Sequence, residues 1–312
     1  MPKTVKQNTP QRGNNPKGRH PPAGVIPPFK GGITPFTAAL PSLPEKAQRV
    51  LSLLSDTDVS VEKLRRLIAA DAALASKILN IANFDFYGGG KTMPDLTHAI
   101  MRLGFNAVRN IVVATSLRAV FKRFGRDEEL LWTAMMGCAI ASSIIARHTK
   151  LVDPEDAFIG GLLHDVGMVY LINEAPALYG RLQRGDTPIQ IAEARNNPIA
   201  DDGGIPPFNQ RNAGAGIVKK WGFPETLAAL LKKFDNPDEF INERYMYNLV
   251  TVITFADMIC LTLGIGGRGI PSSGVMPPTM KNLSDSLGIA EKGFKKLVEN
   301  VHEAFSQGIK LY

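Results

Sequence analysis

Apolar residues recur with helical spacing along most of the chain that follows residue 40. Ala47, Val50, Leu51 and Leu54 stand at positions i, i+3, i+4 and i+7, which share one face of a helix. Sustained alternation of apolar and polar residues, which is typical of strands, is nearly absent. The pattern therefore predicts an all-α fold, with later helices over about 98–112, 128–146, 210–221, 225–234, 238–263 and 284–309.

Three helices have recognisable starting residues. Ser60 and Asp71 each precede an apolar periodic run and are good N-caps. Asp153 stands before a proline and two acidic residues, a sequence that favours a helix start. The pattern predicts that the helix after Asp153 continues through His164 and Asp165.

Residues 1–38 differ from the rest in composition and charge. They contain eight prolines and five glycines, and residues 1–40 hold six cations and no acidic residue. The remaining chain carries 30 cations and 29 anions, so the net charge of +7 belongs mainly to this segment. The composition predicts a disordered basic tail, either solvated or serving as a docking arm for an acidic partner, nucleic acid or lipid.

The cysteines and the apolar runs limit the class of protein. Cys138 and Cys260 are the only cysteines, which excludes a disulfide-stapled secreted domain and favours reduced, buried thiols in a cytoplasmic protein. The most apolar run, 249–263, contains Asp257 and predicts a core helix rather than a membrane span. The glycines at 264–269 match G-x-G-x-x-G, but a helix precedes them where a dinucleotide site needs a strand, so no cofactor is predicted.

The pair His164-Asp165 carries the most promising chemistry. It lies in an apolar stretch, where a carboxylate is costly without a partner such as a metal ion, a backbone amide, an arginine or a buried water. Asp257 presents the same problem in another apolar helix. The two acids and the histidine could converge on one site.

Several motifs, in order, resemble the HD-related output domain (HDOD) proteins of bacterial signalling, relatives of the HD-type metal-dependent phosphohydrolases. The motifs are 40–44, 71–83, 99–110, 160–167, Gly214, 221–224 and 256–257. The resemblance covers roughly residues 38–265. It implies a two-lobed helical HDOD fold, with an N-terminal lobe at 39–125 and an HD-like lobe at 126–265. Residues 266–312 would be a loop and a C-terminal helical extension.

The resemblance also implies which residues of a metal site survive. His164, Asp165 and Asp257 match metal-binding positions. Further ligand positions are occupied by Ala134, Gln210 and the Phe234-Asp235 pair, and alanine and phenylalanine cannot bind metal. The implied site is vestigial, a buried hydrogen-bond network that would hold Mg²⁺ or Mn²⁺ only weakly.

The implied function is a non-enzymatic, cytoplasmic signalling domain that acts through protein partners. Its movable parts would be the loops at 84–94 and 196–208, through a shift between the lobes. The alternative is a metal-dependent phosphohydrolase acting on a nucleotide or cyclic dinucleotide. That enzyme would use His164, Asp165 and Asp257 with extra donors such as Asp201, Asp202 or Asp235. Binding of nucleic acid by the tail 1–38 is a third interpretation.

Overall fold

The computed structural model describes residues 40–84, 92–184, 209–234, 236–267 and 278–312. All regular secondary structure within these ranges is helical, which confirms the predicted all-α class. The predicted tail 1–38, most of the 84–94 loop and all of the 196–208 loop lie outside the described residues.

Within residues 40–84 and 92–116, four helices form the N-terminal lobe. They are α1 (Glu45–Leu54), α2 (Val61–Ala69), α3 (Ala72–Ala82) and α4 (Leu96–Ser116), and the other three all pack against α4. The predicted caps are present: the Ser60 side chain accepts a hydrogen bond from the Lys63 amide, and the Asp71 carboxylate accepts from two amides of α3. Local sequence therefore sets where α2 and α3 begin.

The second lobe is built around one long buried helix. Its elements are α5 (Arg126–Thr149), α6 (Pro154–Leu163), α7 (Val166–Glu174), α8 (Pro176–Arg184), α9 (Gln210–Lys220), α10 (Glu225–Lys232) and α11 (Arg244–Thr262). The central helix is α5, which packs against α6 and α11, while α9 packs against α7 and α10.

The prediction of one helix running through the His-Asp pair is wrong. Helix α6 ends at Leu163, His164 and Asp165 form a turn, and α7 begins at Val166. The ring nitrogen Nδ1 of His164 bonds to the carbonyl oxygen of Gly161, and Asp165 leaves the helical region at φ −108°, ψ 13°. A side chain that bonds to the local backbone competes with the helical pattern and accounts for the break.

Two other predicted helices are divided in the structure. The segment predicted as 238–263 begins with a 3-10 turn, Pro237–Phe240, before α11 starts at Arg244. The segment predicted as 284–309 consists of α12 (Pro278–Ser286) and α13 (Glu291–Gly308). Gly288 separates these two helices with φ +68°, a left-handed conformation that favours glycine.

The C-terminal extension contacts both lobes. Helix α13 packs against α5, and a 3-10 turn, Ile309–Leu311, follows it. The Lys77 ammonium of α3 donates a hydrogen bond of 2.7 Å to the backbone oxygen of Tyr312. The Tyr312 ring lies 6.1 Å from the Phe158 ring of α6. The extension therefore joins the N-terminal lobe to the second lobe.

Side-chain hydrogen bonds also cross the junction between the lobes. The Asn110 amide of α4 donates to the backbone oxygen and the carboxylate of Glu155, at 2.9 and 3.0 Å. The Lys220 ammonium and the Trp221 indole donate to the backbone oxygens of Leu40 and Pro41. The bonds from Lys220 and Trp221 tie the start of the N-terminal lobe to the end of α9.

In the part of the chain that the structure describes, two helices are long and apolar enough to cross a membrane. They are α5 and α11, with 78% and 56% of their most apolar windows buried inside the protein. The core helices of soluble proteins pass the same test of length and composition. The burial is that of core helices.

A close approach of α6 to α5 gives the first prediction. A Cβ atom at Gly161 would lie 2.6 Å from Ser142 Oγ and 2.8 Å from the Cys138 carbonyl oxygen. The backbone of α5 cannot easily give way, so Gly161→Ala should lower the free energy of unfolding by about 1–3 kcal/mol. Urea denaturation measures this change.

The control for Gly161→Ala is Gly293→Ala in α13, where a new Cβ meets no atom within 4 Å. That substitution should raise the free energy of unfolding by about 0.4–1 kcal/mol, because alanine restricts the unfolded chain. Equal effects of the two substitutions would contradict the close approach.

The half-buried Glu155 predicts a pH dependence of stability. Burial raises the pKa of Glu155, although the Asn110 amide and Arg147 partly oppose the shift. The stability gained from the protonated form of Glu155 is complete below the ordinary pKa of 4.5. It is lost as the pH rises through the raised pKa of the folded protein. Glu155→Gln should therefore gain stability relative to wild type as the pH rises from about 4.5 to 7.

Urea denaturation across that pH range measures the Glu155→Gln effect. The control is Glu299→Gln, an exposed position on α13. The difference between Glu155→Gln and wild type should grow with pH, whereas Glu299→Gln should run parallel to wild type. Parallel profiles for both variants would show that burial of Glu155 does not raise its pKa.

Candidate functional site

The turn between α6 and α7 brings together the three residues predicted from the sequence. His164 Nε2 lies 3.5 Å from Asp165 Oδ2 and 3.5 Å from Asp257 Oδ1. The side chains of His164 and Asp165 are fully buried, and that of Asp257 is 11% exposed. The convergence of two acids and a histidine, expected from their unfavourable burial, is present in the structure.

Three elements position these side chains. Gly161 allows α6 to lie directly on α5, since any larger residue would meet Ser142 and the backbone of Cys138. The bond from His164 Nδ1 to the Gly161 carbonyl, 2.7 Å long, turns the imidazole so that Nε2 points toward the acids. Helix α11 packs against both α5 and α6 and supplies Asp257.

Cys138 is a member of the cluster that sequence reasoning missed. Its Sγ atom, a ring nitrogen of His164 and an Asp257 carboxylate oxygen all lie within 4.8 Å of one another. The sequence alone predicts only a buried thiol at Cys138. The available signal was its spacing, because Cys138 follows Ala134 by four residues and so lies one turn further along the same face of α5.

Burial determines the protonation of the thiol. It raises the pKa of Cys138 to about 11, and the nearby His164 only partly opposes the shift. A thiol with that pKa is neutral at physiological pH and is a poor nucleophile. Cys138 is therefore not poised for nucleophilic catalysis.

For His164, neighbouring acidic side chains outweigh the effect of burial on the pKa. Burial lowers the pKa of His164, but the carboxylates of Asp165 and Asp257 outweigh burial, so the pKa lies well above 6.5. The raised pKa favours the protonated imidazole beside these carboxyl groups. A buried ion group of this kind is tolerated when its remaining polar atoms are also satisfied.

Neighbouring side chains of α9 supply some of these further contacts. The Gln210 amide donates a hydrogen bond of 2.6 Å to Asp165 Oδ1. Arg211 Nη1 lies 3.9 Å from the same oxygen and donates a bond of 2.7 Å to the carbonyl oxygen of His164. The turn is thus held from α9 through both its backbone and its carboxylate.

The positions at which the family resemblance implies further metal ligands are filled by other contacts. Phe234 places its ring 5.6 Å from the His164 ring, and the Arg211 guanidinium lies 4.6 Å from the centre of the Phe234 ring. Ala134 packs beneath Gly266, where an added Cβ would lie 2.5 Å away. The proposed substitute donors Asp201, Asp202 and Asp235 lie outside the described residues.

These contacts do not fit a hard divalent cation. Mg²⁺ requires close to octahedral coordination, mainly by oxygen atoms and several waters. The described cluster instead offers a thiol among its donors, and one Asp165 oxygen already accepts from Gln210. Phe234, at a position where the resemblance implies a ligand, offers no donor atom and lies with its ring 5.6 Å from the His164 ring.

Comparison with known proteins identifies the family. The model of the HDOD domain family matches residues 40–237, which include His164 and Asp165 and end before Asp257. An uncharacterised protein of Treponema pallidum (strain Nichols) is 24% identical over 226 residues, or 70% of this chain. The aligned region spans 42% of that relative's length.

Solved structures share the fold. An HDOD domain protein of unknown function from Geobacter sulfurreducens superposes with a TM-score of 0.63 at 20% identity, covering 88% of this chain and 93% of its own. A Shewanella amazonensis SB2B protein with a provisional phosphohydrolase name has a TM-score of 0.63 at 18% identity, covering 88% and 94%. Identities this low establish the fold and not the activity.

The contact between Gln210 and Asp165 predicts a cost in stability. Gln210→Ala would remove a buried hydrogen bond to a charged group, and such bonds contribute about 1.5–3 kcal/mol. Chemical denaturation should show a loss of that size. The matched control is Gln307→Ala, which removes an exposed bond to Glu303 and should change stability by less than about 0.5 kcal/mol. Equal losses would mean that Gln210 does not support the turn.

Proposed function

The chain belongs to the HDOD family, and we propose on this basis that it is a bacterial cytoplasmic regulatory domain acting through protein–protein contacts rather than catalysis. The observation that carries the proposal is the replacement of implied metal ligands by packing and hydrogen-bonding residues. Gln210 bonds to Asp165, Phe234 packs against His164, and Ala134 packs beneath Gly266.

The burial of the turn also supports a role without catalysis. A phosphohydrolase must admit a phosphate ester and an attacking water to its metal ions. The side chains of His164 and Asp165 have no exposed area. The polar cluster is therefore better suited to fixing the arrangement of α5, α6, α9 and α11 than to binding substrate.

The lobe junction provides a route for regulation. Several bonds across it run from a side chain to a backbone oxygen, as for Lys220 to Leu40 and Trp221 to Pro41. Each such bond contributes about 0.5–1.5 kcal/mol net, because water can replace it. A protein partner that contacts both lobes can therefore replace these bonds at a modest cost for each bond.

The second candidate is the metal-dependent phosphohydrolase acting on a nucleotide or cyclic dinucleotide. The observation in its favour is that His164 Nε2 lies 3.5 Å from both Asp165 and Asp257. It requires donors from outside the described residues, such as Asp201, Asp202 or Asp235.

Nucleic-acid binding by the tail 1–38 would instead be salt-sensitive and would disappear when that tail is deleted.

Hydrolysis assays test the proposal directly. The chain of 312 residues should hydrolyse no phosphomonoester, phosphodiester, nucleotide or cyclic dinucleotide above the level of His164→Ala, with Mg²⁺, Mn²⁺ or Zn²⁺ present. Released phosphate measures the monoesters, and chromatography of the products measures the diesters and cyclic dinucleotides. The expected result follows from the missing ligands. Turnover by the wild-type protein that is lost in a folded His164→Ala variant would contradict the proposal and establish the phosphohydrolase.

A further inference from the structure

The cluster contains a sulfur donor that the family resemblance does not imply. We propose that Cys138, His164 and Asp257 form a binding site for a thiophilic divalent cation, with Zn²⁺ as the expected occupant. This goes beyond the proposed function, because the ion would join three elements of the second lobe whether or not the domain regulates a partner.

The imidazole is prepared as a ligand. Its Nδ1 bonds to the Gly161 carbonyl, which fixes the ring orientation and directs the other nitrogen into the cluster. Metal-binding histidines usually make this kind of bond through their second nitrogen. Nε2 is fully buried and makes no hydrogen bond to any described group, although two carboxylates lie within ion-pair distance.

The spacing of the donors suits a small tetrahedral site. Nitrogen and oxygen ligands of tetrahedral Zn²⁺ lie about 3.4 Å apart, given metal–ligand bonds of about 2.1 Å. His164 Nε2 and Asp257 Oδ1 are 3.5 Å apart. Cys138 Sγ lies within 4.8 Å of a ring nitrogen of His164 and of a carboxylate oxygen of Asp257. It therefore needs to approach by little more than about 1 Å to complete a three-donor face.

The Cys138 sulfur donor determines which class of metal ion the site would prefer. Thiolate together with imidazole and carboxylate suits zinc, whereas Mg²⁺ and Mn²⁺ prefer sites built from oxygen. Binding exchanges the Cys138 Sγ proton and the His164 Nε2 proton for one divalent ion, so the net charge of the buried cluster is unchanged. The ion would link α5, the turn after α6, and α11.

Gln210 and Asp165 surround this donor set. The bond from Gln210 holds Asp165 Oδ1, while Asp165 Oδ2 lies 3.5 Å from His164 Nε2. Outer groups of this type orient the ligands and set the local charge. The residues that replace the implied hard-metal ligands are therefore compatible with a zinc site of different composition.

Cobalt substitution tests the inference with a spectroscopic readout. The full-length, untagged protein is treated with chelator and titrated with Co²⁺, and bound zinc is measured separately by elemental analysis. One ion per chain and a near-ultraviolet thiolate-to-cobalt charge-transfer band are expected. Cys138→Ser should abolish the band and weaken Zn²⁺ binding by more than about 100-fold, beyond the loss typical of an outer group.

Cys260→Ser is the matched control, since Cys260 is the other buried cysteine and lies outside the donor cluster. It should keep the band and the affinity. Absence of bound ion from the wild-type protein, absence of the charge-transfer band, or an unchanged band in Cys138→Ser would each overturn the inference. Because the wild-type spectrum is decisive, an unstable variant does not prevent a conclusion.

Different experimental results would overturn the metal-site proposal and the proposed regulatory role. A wild-type protein that binds neither Zn²⁺ nor Co²⁺ overturns the metal site and leaves the regulatory role intact. A zinc-loaded protein that hydrolyses a phosphate ester contradicts the regulatory role and leaves the metal site intact.

Discussion

The second lobe depends on the compensation of charge in its interior. His164 lies between Asp165 and Asp257, with almost no contact with solvent. Isolated buried charges would cost several kcal/mol each, so the surrounding helices must supply partners. They do so from three directions, with Asp257 from α11, Gln210 from α9 and the Gly161 carbonyl from α6.

The same need for partners accounts for the residues at the ligand positions that the family resemblance implies. In this chain the charged turn is retained, while neighbouring positions hold Gln210 and Phe234. A glutamine amide satisfies a carboxylate, and a phenyl ring excludes water, so both residues stabilise the closed arrangement. A fold related to hydrolases can in this way serve another purpose, because function resides in the site and not in the fold.

Local signals predicted much of the fold, and tertiary contacts account for what they missed. Ser60 and Asp71 marked helix starts because N-caps act within a few residues. Unfavourable burial predicted the convergence of His164, Asp165 and Asp257. The break after Leu163 depends on a side-chain bond to the backbone, and the approach of Cys138 depends on how closely α6 lies on α5. The periodicity of apolar residues predicts neither this bond nor this approach, because it reports only which face of a helix is buried.

The proposed role of the buried turn is to stabilise the lobe rather than to serve catalysis. The most direct measurement is the free energy of unfolding of Asp165→Asn against wild type, with chelator present. The account predicts a loss of about 1.5–3 kcal/mol, because the amide keeps the shape of the carboxylate but not its charge beside His164. Equal or greater stability would contradict the account, since it is the behaviour of a residue kept for activity at the expense of stability.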